Sequence, residues 1–337
     1  MKNNCPFVSV IIPIFNEKRY IRQLLHSLLK QDYPKDRLEI LLIDGRSEDG
    51  TRDEINEIIA SSPEFSHLKI IVLDNFKRIV PCALNIGIKD SKGDFVIRMD
   101  AHSAYAPDYV SKCVEWLEKT NSANVGGPMV ANGKGFVGKA IEFAHHCRFG
   151  LGGGRFHDEQ WAGYADTVYL GAWPKRIFEE VGLFDERFTR TEDIELNSRI
   201  RKAGRKIYLT PEIKSYYHCR DTLRGLWRQN FANGKEVVYT KIVAPYTLSW
   251  RHFIPLIFVV SLIVPMVFFP FSFLATIAFV LVAGSYALAN LFFSFRLACK
   301  NGFRYLFTLP VVFATLHFSY GLGSIWGLLT LKRWLKK

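Results

Sequence analysis

Residues Val8–Ile14 read VSVIIPI, and Leu38–Ile43 read LEILLI just ahead of Asp44. Both are short, largely apolar and rich in β-branched residues, the pattern of strands covered on both faces of a parallel sheet. Between them, Tyr20–Lys30 sets Ile21, Leu24, Leu25, Leu28 and Leu29 at helical spacing. The alternation continues. Thr51–Ala60 predicts a helix, Leu68–Leu73 a strand, Pro81–Ser91 a helix with Pro near its first turn, and Asp94–Met99 a strand ending at Asp100. Strands and helices in alternation build βαβ units, so the expected fold class is α/β with a mostly parallel, Rossmann-like sheet. Such sheets bind ligands outside the carboxyl ends of their strands. Asn16-Glu17, Asp44, Asp74-Asn75, and Asp100 with His102 all stand at those ends, which marks that edge as the candidate site.

Further along, Val168–Glu180 reads as strand, turn and helix, and Ile207–Thr210 as a strand. Thr191–Gly204 (TEDIELNSRIRKAG) reads as a helix with acids at its start, bases at its end and Gly204 as its stop. Gly126–Arg155 is glycine-rich and is expected to be irregular, either a mobile loop around a site or a connector. His145, His146 and His157 lack the spacing of a second metal site and read as loop residues.

The chain has 337 residues and a formal net charge of +12, unevenly spread. Phe253–Lys337 holds seven basic residues and no acidic one, so all 32 acids lie in positions 1–252 with 37 of the 44 bases. Two charge-free runs, Phe253–Phe295 and Tyr305–Leu331, fill that tail. A spanning helix needs about 20 apolar residues, so the first run suffices for two spans and the second for one. This excludes a simple soluble protein. It also removes the nucleic-acid reading of the basic balance, because basic flanks beside apolar spans are a membrane feature. Six scattered cysteines without a Cys-x-x-Cys indicate neither a zinc knuckle nor a disulfide framework. Phe7–Phe15 follows Lys2 but is β-branched and broken by Pro13, unlike a signal peptide, so the soluble part is expected in the cytoplasm.

VSVIIPIFNE, LLIDGRSEDGT, ALNIGI, RMDAH and TRTEDIELNSRIRKAG occur in the order found in family 2 glycosyltransferases of the GT-A fold, and the chain resembles that family over about residues 6–240. The DAH form, DG in place of DDG and the appended spans look most like the ExoA-like subgroup of membrane-anchored enzymes of bacterial polysaccharide synthesis. The resemblance implies a nucleotide-sugar donor, whose diphosphate needs a divalent cation, Mn²⁺ or Mg²⁺. Asp100 and His102, two apart at a strand end, face one side and suit one metal. His102 replaces the second Asp of the family's usual Asp-x-Asp, and imidazole tilts the choice towards Mn²⁺. A loop hydrogen bond is the other reading of His102. By the same resemblance Pro13, Glu17, Asp44 and Asp49 surround the nucleotide, and Asn85 and Gly87 match the family's Asn-x-Gly. Asp49 reads equally as a turn or capping residue ahead of Thr51, and Gly87 as a helix-packing glycine. Lys77 and Arg78 read as phosphate contacts or as surface side chains.

The resemblance assigns Asp193 as the general base that deprotonates the acceptor in an inverting transfer, with Glu192 orienting that base or the acceptor. The helix start should lower its pKa and keep it ionised. The Gln-x-x-Arg-Trp motif of processive relatives is absent, which argues for one sugar per encounter. Arg228 and Gln229 lie in that region and are assigned to the leaving diphosphate.

The expected organisation is a catalytic domain at 1–222, an amphipathic or interfacial linker at 223–252, and a membrane domain at 253–337 with hydrophobic segments 253–270, 272–294 and 305–331. The expected location is the cell membrane, multi-pass, with the catalytic domain cytoplasmic. Three spans put Lys332–Lys337 on the far side, against the positive-inside tendency. A re-entrant last segment broken near Pro310 or Gly321–Gly323, or a first segment broken by Pro255, Pro265 and Pro270, would resolve that. The expected partners are a nucleotide-sugar donor, a lipid-linked saccharide acceptor and membrane lipid, with no nucleic acid. Transfer directly to a polyprenyl phosphate, and a non-catalytic membrane protein with a degenerate nucleotide-binding domain, are the alternatives.

Overall fold

The computed structural model describes residues 5–151 and 154–335; readings that rest on Lys2, Gly152, Gly153, Lys336 and Lys337 lie outside them. The chain divides into two compact units, Met1–Val130 with Asp158–His218, and Ala131–His157 with Cys219–Lys337.

The strands of the first unit begin with β1 (Val8–Ile14), β2 (Leu38–Asp44), β3 (Lys69–Asp74), β4 (Phe95–Arg98), β5 (Ser103–Tyr105) and β6 (Asn124–Gly127). After β7 (Val130–Asn132), which carries the chain out of the unit, come β8 (Gly163–Tyr164), β9 (Tyr169–Pro174), β10 (Ile207–Leu209) and β11 (Ser215–His218). Eight strands form one sheet in the order β3-β2-β1-β4-β9-β6-β10-β8. β1 pairs in parallel with β2 and β4, β2 with β3, and β6 with β10. β9 lies antiparallel between β4 and β6. The sheet is thus mostly parallel, as the apolar runs require. Val8, Val10, Ile11 and Ile12 are fully buried, each stabilising the fold by roughly 1.5–3 kcal/mol.

Helices α1 (Lys18–Leu29), α2 (Thr51–Ser61), α3 (Val80–Asp90) and α4 (Tyr109–Thr120) cover the sheet elements, with Ile21, Leu24, Leu25 and Leu28 of α1 buried. In register, Ile14 faces Asp44 and Asp44 faces Asp74, so the carboxyl ends of β1, β2 and β3 fall on one line.

Gly126–Arg155 is not irregular. It holds β6, β7 and α5 (Gly135–His145), and His145 is a buried helical residue whose Nδ1 lies 2.8 Å from the Ile141 carbonyl oxygen. The glycines obscured a helical face in which Ala140, Ile141 and Ala144 are buried. That face belongs to the second unit, where Phe136 and Phe143 pack on Tyr305 at centroid distances of 4.8 and 5.2 Å. Segment 131–157 therefore groups with the C-terminal helices although it lies inside the stretch 1–222.

After α6 (Ile177–Val181) and α7 (Glu192–Lys202) of the first unit come four long helices of the second: α8 (Leu223–Val243), α9 (Ile254–Phe268), α10 (Phe273–Asn301) and α11 (Thr308–Trp334). The segments Trp250–Phe268, Phe273–Asn301 and Thr308–Trp334 are long and apolar enough to cross a membrane. α9 runs through Pro255 and Pro265 and stops only before Pro270, and α11 runs unbroken past Pro310 and Gly321–Gly323. Pro310 sits in the first turn, where its missing N–H is not needed. Gly323 is a contact point: a Cβ there would come 2.1 Å from the Phe231 carbonyl oxygen of α8, and one at Gly234 would come 2.0 Å from that of Tyr320. The two helices approach backbone to backbone because those side chains are absent.

Candidate active site

A cleft opens at the carboxyl edge of the sheet, lined among others by Pro13, Glu17, Asn75, Arg78, Asp100 and His102. Three of the segments that leave the strands are held in the left-handed region at a residue other than glycine: Asn16 (φ 56°), Arg46 (φ 59°) and Arg78 (φ 56°). Each such residue is an uncommon backbone state. They fix where Phe15, Glu17 and the 44–51 loop point. The Arg78 guanidinium lies 5.5 Å from the centre of the half-exposed Phe15 ring.

The strand stops at Arg98, two residues short of the expected end, so Asp100 and His102 line the cleft from the turn that follows β4. The Asp100 backbone N–H donates to the Tyr105 hydroxyl, and that hydroxyl donates to the Asp100 carbonyl. The carboxylate takes Arg98 Nε at 2.9 Å and Nη2 at 3.3 Å. Arg98 is buried, and its Nη1 reaches Glu192 Oε1 at 3.2 Å. Burial opposes the charge on Asp100, but Arg98 and then His102 hold its pKa below the ordinary value. The second Glu192 oxygen is buried with no hydrogen-bond partner among the described residues. Asp193 follows, its Oδ1 accepting from the Ile194 N–H at 2.7 Å.

Here an expectation fails. Burial first, and Glu192 second, push Asp193 up to about 7, with Arg98 opposing. The amides of the helix start do pull it down, but they are outweighed. A helix N-terminus stabilises a carboxylate by roughly 0.3–1 kcal/mol, which is less than one pKa unit. Desolvation and a like charge next door are larger. The site thus holds two carboxylates of different character, one kept ionised by Arg98 and one poised near neutrality.

His102 Nδ1 stands 3.2 Å from Glu17 Oε1, so the imidazole does join a carboxylate of the first loop. Among the described residues no group of three or more His, Cys, Asp or Glu is placed to hold a metal ion. The donors present nevertheless fit a hard cation that shares its coordination with a ligand. Asp100 and His102 offer one oxygen and one nitrogen on the same cleft wall, and a diphosphate and water would complete the shell.

Other assigned residues spend their polar groups locally. Asp44 is buried and accepts from the Ser47 N–H at 3.1 Å and hydroxyl at 2.7 Å, with Arg52 at 3.9 Å. Asp49 accepts from the backbone N–H of Lys18 at 3.1 Å and of Thr51 at 3.0 Å, the turn geometry read as its alternative. Slight burial works against it, but the Thr51 hydroxyl and those amides keep its pKa low. Asn85 clamps a loop: its Nδ2 donates to the Phe184 carbonyl and its Oδ1 accepts from the Phe184 N–H, both at 2.9 Å. A Cβ at Gly87 would meet Ile11 Cγ2 at 2.5 Å, so this glycine lets α3 close on β1. Lys77 pairs with Glu186, while Arg78 lines the cleft and pairs with Glu48 at 2.6 Å. Arg228 and Gln229 lie on α8 in the second unit, where Gln229 Oε1 accepts from Arg220 Nε at 3.1 Å. Arg98 escaped the sequence reading. Its signal was a lone guanidinium in the apolar run FVIRM, where burial demands an acid partner.

The model of the family described as glycosyl transferase family 2 matches residues 9–169. A dolichyl N-acetyl-alpha-D-glucosaminyl phosphate 3-beta-D-2,3-diacetamido-2,3-dideoxy-beta-D-glucuronosyltransferase of Methanococcus voltae is 28% identical over 333 residues, 96% of this chain and 97% of its own length. The succinoglycan biosynthesis protein ExoA of Rhizobium meliloti is 31% identical over 228 residues, 67% of each chain. The solved structure of the mannosyltransferase PcManGT from Pyrobaculum calidifontis, in complex with GDP-Man and Mn²⁺, has the same fold. Its TM-score is 0.60 at 20% identity, covering 96% of this chain and 88% of that one.

Proposed function

The chain belongs to glycosyltransferase family 2, and from this we propose that it moves one sugar, with inversion, from a nucleotide-sugar donor to a lipid-linked saccharide acceptor with the help of a divalent cation. The observation that carries the reading is the chain of contacts from Asp100 through Arg98 to Glu192, beside Asp193. It supports the reading because one buried guanidinium joins Asp100 to Glu192, with Asp193 next in sequence. Asp100 and His102 would hold the cation, which when bound would neutralise the departing diphosphate. Asp193 takes the acceptor proton as the hydroxyl attacks the anomeric carbon from the face opposite the diphosphate. Glu192 and Arg98 set the base's position and charge. Asn85 and Gly87 support the cleft by packing, and Pro13, Glu17 and Arg78 line it. Asp44 and Asp49 shape the loop that borders the nucleotide.

The relatives support the acceptor class, since one acts on a dolichyl-linked sugar phosphate and another serves succinoglycan synthesis by name. The solved neighbour, with GDP-Man and Mn²⁺, supports a nucleotide-sugar donor and Mn²⁺ or Mg²⁺. The three apolar segments support a multi-pass anchor, with the catalytic unit in the cytoplasm. A reporter fused after Lys337 tests that sidedness.

The decisive experiment measures nucleoside diphosphate release by the purified protein with Mn²⁺, a panel of nucleotide sugars and extracted lipid acceptor. Wild type should release it, and Asp193→Asn should be slower by roughly 10²–10⁴, the usual weight of a general base. Equal rates from the two proteins would sink the mechanism.

A further inference from the structure

A second cavity lies wholly within the second unit, with a volume of about 330 Å³. Its polar wall is cationic: Arg148 and Arg251 line it together with His157, His252 and His317, and no acidic residue does. Its other wall is apolar and comes from the candidate membrane helices, through Ile254 and Pro255 of α9 and Leu316 and Tyr320 of α11. Both arginines reach solvent, so the cavity joins an exposed cationic mouth to an apolar wall, the division of an amphiphile's head and tail.

One polar group of this cavity is left for a ligand. His157 Nδ1 is buried without a hydrogen-bond partner among the described residues. Burial, with His145, His146 and Arg251 nearby, holds this imidazole down to about 3, so it is neutral and can donate one hydrogen bond. His317 lies within the apolar segment Thr308–Trp334 and braces the cavity wall rather than meeting the ligand. It is fixed on both sides, with Nε2 at 2.8 Å from the Phe149 carbonyl oxygen and Nδ1 at 3.0 Å from the Tyr286 hydroxyl. That bond ties the loop bearing Arg148 to α11. Beyond the cavity the apolar wall continues outward: Ile254 is 47% exposed, and Ile257, one turn on, is 59% exposed.

We infer that this cavity seats the phosphate or diphosphate headgroup of the lipid carrier, with Arg148 and Arg251 as its counter-charges and the hydrocarbon chain running along the exposed face of α9. The inference rests on the proposed lipid-linked acceptor and says which residues hold its phosphate. A cavity of this size is larger than a single ordered ion or water needs, which is about 10–15 Å³. Basic pockets beside membrane helices are suited to such headgroups.

The test uses the full chain in detergent micelles and isothermal titration with farnesyl diphosphate, farnesol and inorganic pyrophosphate. Farnesyl diphosphate should bind at least about tenfold more tightly than either half-ligand, since each supplies one wall only. Arg148→Gln with Arg251→Gln should weaken it at least about tenfold, and Arg148→Lys with Arg251→Lys should restore most of the loss. Photo-crosslinking of wild type with a benzophenone analogue of farnesyl diphosphate should label α9, α11 or the 148–157 segment, and needs no variant to fold. Labelling elsewhere, unchanged binding in the double Gln variant, or pyrophosphate binding as tightly as farnesyl diphosphate would each overturn the inference. So would equal competition by phosphatidylglycerol vesicles, which would make the cavity a general anionic-lipid site. Failure of the parent reading shows separately, as absence of nucleoside diphosphate release by wild type with every donor.

Discussion

Arg98 Nη1 lies 3.2 Å from Glu192 Oε1, and the same guanidinium holds both carboxylate oxygens of Asp100. One buried cation thus neutralises an acid from the turn that follows β4 and an acid from the start of α7. Removing it strands both. Arg98→Gln should destabilise the first unit by about 3–5 kcal/mol, the usual penalty for an uncompensated buried charge, with Arg98→Lys recovering part of it. Denaturant unfolding followed by near-UV circular dichroism checks this. In variants that remain folded, loss of the nearby positive charge should also raise the Asp193 pKa further, visible as an upward shift of the pH–rate profile.

The position of Asp193 near neutrality predicts a pH limit. With the base pushed up to about 7, kcat/KM should fall about tenfold for each unit below that value. The stability effect has the opposite direction. The folded pKa exceeds the ordinary 3.8, so between these values the folded state binds more protons, and this carboxyl's contribution falls as pH rises through the window. Asp193→Asn should therefore unfold at a higher temperature than wild type at pH 8, and the difference should shrink towards pH 4. Thermal scans at the two pH values decide it. No gain at pH 8 would show that the carboxyl is not strained by its surroundings.

At the cleft, His102→Ala should abolish stimulation by Mn²⁺, and His102→Asp should keep some activity while shifting preference towards Mg²⁺, because an all-oxygen pair suits the harder ion. Metal titrations of initial rate check this, with an expected loss of at least about tenfold in apparent Mn²⁺ affinity for the alanine variant. A fully active His102→Ala would confine His102 to its contact with Glu17.

Gly87→Ala separates packing from ligand contact. The added methyl would meet Ile11 Cγ2 at 2.5 Å, and overpacking of this kind costs about 1–3 kcal/mol. A lowered melting temperature with an unchanged donor KM is expected. A KM change without a stability change would return Gly87 to the binding surface.

The sheet was readable because its strands are buried on both faces, and an apolar run such as Val8–Ile14 has few other homes. The strand-end residues followed from topology. What could not be read was the spending of each polar group. A motif does not show that Asp44, Asp49 and Asn85 also bond Ser47, Thr51 and Phe184, and Asn85 and Phe184 lie far apart along the chain. Asp193 misled for a related reason: the local helix start was visible, while the burial contributed by the rest of the fold was not. In Gly135–His145 the glycines masked a helical face whose packing surface comes from distant residues such as Tyr305.

The left-handed backbones of Asn16, Arg46 and Arg78 carry one more consequence. A non-glycine residue in this state gives up about 1–2 kcal/mol, less for Asn. The surrounding contacts must therefore hold the rim of the cleft in these strained states in the free protein. Arg46→Gly would relax the backbone locally and loosen the rim together. Such a variant should melt higher and bind donor more weakly, a pairing that thermal scans beside donor titrations would show. At this edge robustness and accuracy of fit are opposing demands, and the sequence has settled them in favour of fit.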